Sequence, residues 1–390
     1  MTVQEVFEIL KRDAVAIYNE DGLKEKLNSN KKLKIKLGAD PSRPDLHLGH
    51  SVVLRKLRLL QDLGHEIIFV IGDFTGMIGD PSGKNKTRIP LTFEQTRLNG
   101  QTYLQQVTKI LDKDKTKIVY NSEWLSKMNF ADVLQLAGKY TLARIMERDD
   151  FAKRYAENQP IGIHEMFYPL MQGYDSVALQ ADIEVGGTDQ TFNLLVGREL
   201  QRDYNQTPQE VITFPLLVGL DGTEKMSKSL DNYIGIDEAP EIMFEKCMKV
   251  TDKLLGDYFR LTTDLSKDDY KNLINDDIRQ AHFLYASTIV KMYHSDESVQ
   301  IAKKRYLEIS KGGIPDSIET ITIKKEPISI IELLKLVGFA TSNGDARRLI
   351  QGRGIKIDNV VISDYDMKIT IFDEFVISRG KNKFIKICFE

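Results

Sequence analysis

The sequence predicts an α/β protein built on a doubly wound parallel sheet, and three observations carry that expectation. Strand-like apolar runs alternate with helix-like stretches across the first 236 residues, the order of a parallel sheet covered by helices. The run Glu66-Ile67-Ile68-Phe69-Val70-Ile71-Gly72 is almost continuously apolar, as a strand buried on both faces must be. Polar, glycine-bearing turns follow the strand-like runs, and ligands of such Rossmann-like sheets bind beyond the carboxyl ends of the strands.

Taken in order, residues 1–30 space their apolar side chains as a helix does and predict a helical lead-in. Leu33-Lys34-Ile35-Lys36-Leu37 alternates as a strand. Pro41 and Pro44 bar helix through the next turn, after which residues 51–60 read as helix. The strand at 66–72 leads into a glycine-rich loop, 73–84. Helix is expected over 92–111, 130–151, 163–174 and 188–202, and strand over 117–121 and 181–187. A further apolar run covers 211–218. Together these form an N-terminal domain, 1–236. From 237 to 311 the periodicity is helical. Gly312-Gly313-Ile314-Pro315 breaks it, and 312–327 reads as a linker. Residues 328–390 predict two short helices followed by strands at 355–357 and 374–377, a small α+β module.

The chain has 390 residues, 42% hydrophobic and 28% charged, which suits a globular protein of two or three domains. A net charge of −3 excludes a surface that attracts nucleic acid as a whole, so any RNA site must be a local patch. Cys247 and Cys388 offer neither a zinc spacing nor a disulfide framework, which fits a reducing cytoplasm. Met1-Thr2-Val3-Gln4-Glu5 carries no signal-peptide pattern, and no apolar run nears the ~20 residues of a membrane helix. A cytoplasmic location without membrane contact is therefore expected.

The most informative stretch is Asp40-Pro41-Ser42-Arg43-Pro44-Asp45-Leu46-His47-Leu48-Gly49-His50, a strand-to-helix turn. His47 and His50 are three apart and share a helix face. The free N–H groups and dipole of a helix start favour an anion, and Gly49 lets a flat ligand approach the backbone. A nucleotide triphosphate fits that description. The residues alone also allow the histidines to cap the helix or bind a metal. A second signal, Lys225-Met226-Ser227-Lys228-Ser229, lies in a polar loop after an apolar run. The pair resembles the two signatures of class I aminoacyl-tRNA synthetases.

Between them, Tyr168-Pro169-Leu170-Met171-Gln172-Gly173-Tyr174-Asp175, Gly186-Gly187-Thr188-Asp189-Gln190 and Gly79-Asp80-Pro81-Ser82-Gly83-Lys84 are similar to motifs of bacterial-type tyrosyl-tRNA synthetases. The resemblance implies a class I catalytic domain over 1–236, a helical anticodon-recognition region over 237–311 and an S4-like RNA-binding domain over 328–390. It implies ATP as substrate, Mg²⁺ travelling with the phosphates, no protein metal cage and no prosthetic group. L-tyrosine, ATP and tRNA(Tyr) would be the partners, in a homodimer. His47, His50, Lys225 and Lys228 would act on the phosphates, with Lys84 and Arg88 as a second cationic clamp. Asp40, Gly49, Asp189, Met226 and Ser227 would complete the ATP site. Thr75, Asp80, Asn121, Tyr168, Gln172, Asp175 and Gln190 would hold tyrosine, Asp175 accepting the phenol hydroxyl. In the C-terminal module Arg347, Arg348, Arg353 and Lys356 would meet RNA phosphates. They form a local patch in a segment holding ten basic and eight acidic residues.

One departure stands out. Such enzymes often carry a tyrosine before the Gly-x-Asp-Pro turn to help bind the phenol, and here the position is Lys36. That leaves the second phenol partner unassigned and keeps tryptophanyl-tRNA synthetases as an alternative, since a carboxylate also accepts an indole N–H. A non-catalytic RNA-binding protein built on the S4-like module is the reading from another class. The intact lysines and histidines oppose it. Residues 130–151 carry more apolar side chains than one helix face needs, which predicts either a two-fold contact or burial against the chain's own sheet.

Overall fold

The computed structural model describes residues 1–40, 46–80, 92–315, 318–370, 372–380 and 382–390. It divides into two compact units, Met1–Ala239 with Lys246–Tyr293, and Pro240–Glu245 with His294–Glu390.

The first unit is organised by six strands: β1 (Ala16–Tyr18), β2 (Lys34–Ala39), β3 (Glu66–Ile71), β4 (Thr116–Tyr120), β5 (Ile183–Gly187) and β6 (Glu210–Phe214). Their order across the sheet is β1-β6-β5-β2-β3-β4. All neighbours are parallel except β1, which runs antiparallel to β6. From β2 the chain winds outward through β3 to β4, then returns to β5 on the other side of β2. That reversal is a topological switch point, where the loops diverge and leave a crevice. Ile67–Ile71 are all buried, as the apolar run requires.

Helix Leu48–Asp62 packs Leu48, Val52, Leu57 and Leu60 inward, an apolar face at helical spacing. The lead-in differs from the expected helix. It is a helix, Val3–Asp13, then β1, then a second helix, Glu20–Asn28. Thr2 and Glu5 close a capping box on the first, and Asn19, with φ 67°, caps the second. The three residues between find their partners at Val211–Thr213, too far along the chain for a local pattern to reveal. The expected helix over 130–151 is three helices, Phe130–Ala137, Leu142–Ile145 and Asp149–Ala156. Asn129 caps the start of the first through its side chain, while extended backbone at Thr141, which caps the second, and at Arg148 before the third breaks a continuous helix.

The helices after residue 237 divide between the units. Asp252–Thr262, Lys267–Asp276 and Ile278–Tyr293 belong to the first and Asp296–Ser310 to the second. Tyr258, Phe259 and Tyr285 are buried and meet edge to face, while Phe259 stacks on Tyr270. Buried Asp13 accepts from Lys56 at 2.5 Å and lies 3.5 Å from Arg260, joining the first helix, helix Leu48–Asp62 and helix Asp252–Thr262.

The second unit holds helices Ile330–Leu336 and Asn343–Gln351 against a five-stranded sheet. Its strands are β7 (Glu319–Ile323), β9 (Ile355–Ile357), β10 (Val360–Val361), β12 (Phe375–Arg379) and β13 (Lys383–Phe389), in the order β10-β9-β12-β13-β7. Short strands β8 (Ile328–Ser329) and β11 (Lys368–Ile369) pair separately. The helices and the strands at 355–357 and 375–379 fall where the sequence puts them. The stretch 312–327, expected as linker, contains β7, which runs parallel to β13 in the register Ile321↔Ile387. Ile323 joins the core of Ile330, Leu334, Ile350, Ile377 and Ile387.

Candidate active site

A cavity of about 630 Å³ opens at the switch point, within the usual range for small-ligand sites. Every expected tyrosine- and ATP-contacting residue among those described lines it. Lys84 and Arg88, with Pro81, Ser82 and Gly83 beside them, lie outside the described residues.

One end is enclosed and polar. Asp175, on helix Ile163–Leu179, is 2% exposed. Its Oδ1 accepts from Trp124 Nε1 at 2.8 Å and its Oδ2 from Asn121 Nδ2 at 3.3 Å. Asn121 Oδ1 accepts the Phe74 N–H at 3.0 Å, so its amide nitrogen must face Thr75 and Asp175. Burial pushes the Asp175 carboxyl up to about 7, against the pull of Lys36, Trp124 and Asn121. Next to it, Asp40 at the end of β2 accepts from Thr75 Oγ1 at 2.7 Å and Tyr168 Oη at 2.9 Å. Gly72 is required there, because a Cβ would overlap Asp40 and Thr75. Gln190 donates to Asp80 at 2.8 Å and receives from Gln172 at 3.4 Å. Gln172 Oε1 is buried with no protein partner, so it is a free acceptor on the cavity wall. Tyr168, Gln172 and Asp175 thus share a helix face, as their spacing implies.

The other end is built by the two signature segments. His47 caps helix Leu48–Asp62: its Nδ1 accepts the Gly49 N–H at 3.2 Å, and His50 Nδ1 accepts the His47 N–H at 3.2 Å. With both Nδ1 atoms accepting, a neutral ring carries its proton on Nε2. Burial and the charges of Lys228 and Lys225 hold His47 well below the usual histidine range and bring His50 down to about 4. Capping and ligand binding are therefore compatible, each ring using one nitrogen for the helix and keeping the other as a neutral donor. Gly49 has a reason beyond ligand access, since a Cβ would meet the His47 ring at 2.9 Å. Lys225 Nζ is 2.7 Å from Asp189 Oδ2. Met226 is buried and donates to the Leu217 carbonyl at 2.7 Å, and Ser227 N–H donates to Asn232 Oδ1 at 2.7 Å. Lys228 lies over the Tyr233 ring, 5.3 Å from its centroid, on a segment that bridges to the histidine turn through Leu48 N–H and the Ile234 carbonyl at 2.9 Å.

The chain was compared with known proteins. The model of the family described as tRNA synthetases class I (W and Y) matches residues 28–309. A protein of Deinococcus radiodurans named tyrosine–tRNA ligase is 50% identical over 100% of this chain and 97% of its own length. One of the same name from Aquifex aeolicus is 46% identical over 99% of both chains. This chain belongs to the tyrosine–tRNA ligases. Among solved structures, a tyrosyl-tRNA synthetase from Archaeoglobus fulgidus complexed with L-tyrosine superposes with a TM-score of 0.61. It is 24% identical and covers 78% of this chain and 99% of its own. A C-terminally truncated mitochondrial tyrosyl-tRNA synthetase from Aspergillus nidulans gives a TM-score of 0.65 at 20% identity, over 78% of this chain and 94% of that one. These two share the fold.

Membership of the tyrosine branch sets aside the tryptophanyl and the non-catalytic readings, and ATP is a substrate of this class. Sequence reasoning missed several partners of a ligase site. Trp124 is the chain's single tryptophan and stands three residues after Asn121, a spacing that could have placed both on Asp175. Asn232 ties the lysine loop, and Tyr233 faces Lys228; both are visible only once the loop is folded. In the second unit Arg347, Arg348 and Arg353 are exposed and Lys356 is half-buried on β9. Arg347 lies over the Tyr365 ring and Arg348 is 3.5 Å from Asp345. Among the described residues no helix is long and apolar enough to cross a membrane.

Proposed function

We propose that the cavity binds L-tyrosine with its phenol on Asp175 and ATP over the histidine turn, forms tyrosyl-adenylate, and passes tyrosine to the 3′ end of tRNA(Tyr). The observation that carries this reading is the convergence in one cavity of an enclosed acceptor carboxylate and a cluster of two lysines and two neutral imidazoles. In the first step a tyrosine carboxylate oxygen bonds to the α-phosphorus, and the α–β bridging bond breaks to release pyrophosphate. In the second, the terminal ribose hydroxyl attacks the tyrosyl carbonyl and AMP leaves.

The barrier is met by charge placement more than by proton transfer. Lys225 and Lys228 supply mobile cations for the departing pyrophosphate, and His47 and His50 donate from Nε2 without adding charge. Gln172 Oε1 and Asp80 are acceptors for the substrate ammonium; Asp40, expected at the ATP site, bonds to Thr75 and Tyr168 and can join them. Asp189 suits the ribose hydroxyls, which would displace Lys225 toward the phosphates. Lys84 and Arg88 remain the proposed second clamp. Among the described residues no three His, Cys, Asp or Glu side chains gather as a metal cage. A Mg²⁺ ion accompanying ATP would add positive charge at the triphosphate.

The basic patch of the second unit is proposed to meet tRNA phosphates. Phe130, Leu134 and Leu142 are exposed, 76%, 57% and 61%, and support a homodimer contact on that face. A monomer by ultracentrifugation at micromolar protein would remove that element. The unpaired thiols of Cys247 and Cys388 support a cytoplasmic location. ATP–pyrophosphate exchange measured with each amino acid tests the central reading: tyrosine should drive it, and exchange with tryptophan alone would overturn it.

A further inference from the structure

Strands β2 and β5 pair over two residues only, Ile35↔Ile183 and Lys36↔Glu184. Beyond that rung they part, and the residues that follow on each, Leu37 to Ala39 and Val185 to Gly187, line the cavity. Lys36 and Glu184 are the last rung before the cavity and lie behind its lining. Their side chains are 0% and 1% exposed and lie 2.8 Å apart. Lys36 Nζ also donates to Ser176 Oγ at 2.8 Å and to the Gln172 carbonyl at 3.0 Å. Ser176 in turn donates to Glu184 Oε2 at 3.0 Å. The ammonium makes two hydrogen bonds and an ion pair inside the protein and does not line the cavity, so Lys36 is not the second partner of a phenol.

What it grips is the helix turn from Gln172 to Ser176, and Asp175 sits inside that turn. We propose that Lys36 is a positioning residue for phenol recognition: it fastens the Asp175 turn to the sheet and supplies the buried positive charge that keeps Asp175 an acceptor. The proposal rests on the reading of this cavity as the tyrosine site.

The surroundings of Asp175 agree. Trp124 and Asn121 approach its two oxygens only as donors, so a proton on Asp175 would occupy a position left for a ligand and remove an acceptor there. The charged groups that act on it are Lys36 from β2 and Glu184 from β5, while Gln172 and Ser176 on its own helix are neutral. Of these, Lys36 is the strongest influence favouring the charged form, and Glu184 opposes it. Taking away the Lys36 charge leaves burial to win, and the carboxyl becomes an acid at neutral pH.

The test uses the full chain with Lys36→Met combined with Glu184→Gln. This pair removes the ion pair without stranding a buried charge and keeps an acceptor for Ser176. Kinetics of pyrophosphate exchange are measured with tyrosine and with phenylalanine across pH. The tyrosine-over-phenylalanine ratio of kcat/KM should fall about tenfold at neutral pH, through KM for tyrosine, and recover as pH rises and Asp175 ionises. Glu184→Gln alone leaves Lys36 unopposed and should move the rise in tyrosine KM to lower pH, so the sign of the shift is informative even if the double variant folds poorly. Parallel losses for both amino acids, or an unchanged ratio and pH profile, would overturn the proposal and reduce Lys36 to a structural role. A parent chain inactive with tyrosine would instead overturn the functional reading.

Discussion

At the phenol end of the cavity, Asp175 is 2% exposed and both oxygens accept from side chains that are themselves fixed. At the phosphate end, Lys225 is 39% exposed and its ammonium rests on Asp189, a partner it can leave. The first arrangement makes its hydrogen bonds before any substrate arrives, so a ligand lacking a hydroxyl leaves a buried acceptor under-satisfied. The second keeps its cations available for charge that develops only during reaction, where binding energy accelerates chemistry. In the proposed function, selection is thus rigid and buried and catalysis looser and more exposed, and the switch point of the sheet brings both sets of residues to one cavity.

Substitutions at the two ends should separate these roles. Lys228→Ala is expected to slow adenylate formation about 10²- to 10³-fold while leaving the tyrosine Kd within about twofold. Single-turnover activation and equilibrium dialysis read the two quantities, and a weakened Kd with an unchanged rate would erase the contrast. Asp175→Asn turns an N–H toward Trp124 or Asn121 and should lower kcat/KM for tyrosine about 10- to 100-fold, with KM for ATP unaltered.

A smaller effect is expected from the second unit. Alanine at Arg347, Arg348, Arg353 and Lys356 should weaken tRNA charging and flatten its salt dependence, leaving amino-acid activation intact. A chain ending after Gly313 should behave likewise. A cut near Ile323 would instead leave β7 without β13, its neighbour in the sheet.

The smallest effect concerns proton-linked stability of the free protein, where the two ends have opposite signs. Asp175, raised to about 7, binds its proton in the fold over a range where the unfolded carboxyl has lost it, so its contribution falls as pH climbs toward 7. His50, lowered to about 4, is neutral in the fold where the unfolded ring is charged, so its contribution grows from about 4 to the ordinary histidine value. Denaturant melts between these limits should show a steeper gain with pH in Asp175→Asn and a shallower one in His50→Gln. Equal slopes in all three proteins would remove the distinction.

Much of the site was legible because its chemistry demands residue types at short spacing: His47 with His50, Lys225 with Lys228, Tyr168 with Gln172 and Asp175. The parallel core was legible for a similar reason, since strands buried on both faces must be continuously apolar. What escaped depends on register between distant segments. Nothing near Lys36 announces Glu184, and nothing near Ala16 announces Thr213. Two local signals were present and outweighed. Thr141 marks a helix start inside 130–151, and Glu319-Thr320-Ile321-Thr322-Ile323 alternates as a strand between glycine, proline and charged flanks.

The order of strands has a consequence in time. Synthesis proceeds from the N-terminus, so β2, β3 and β4 can assemble while β5 and β6 are still unmade, and β1 waits as a bare edge for residues near Thr213. The rung behind the cavity needs Glu184, the carboxylate proposed for the ribose is Asp189, and the lysine loop follows β6. A nascent chain stopped at residue 180 would hold the histidine turn and most of the amino-acid pocket yet grip neither substrate. Long-range closure of this kind slows folding, and ligands can assist only its last stage.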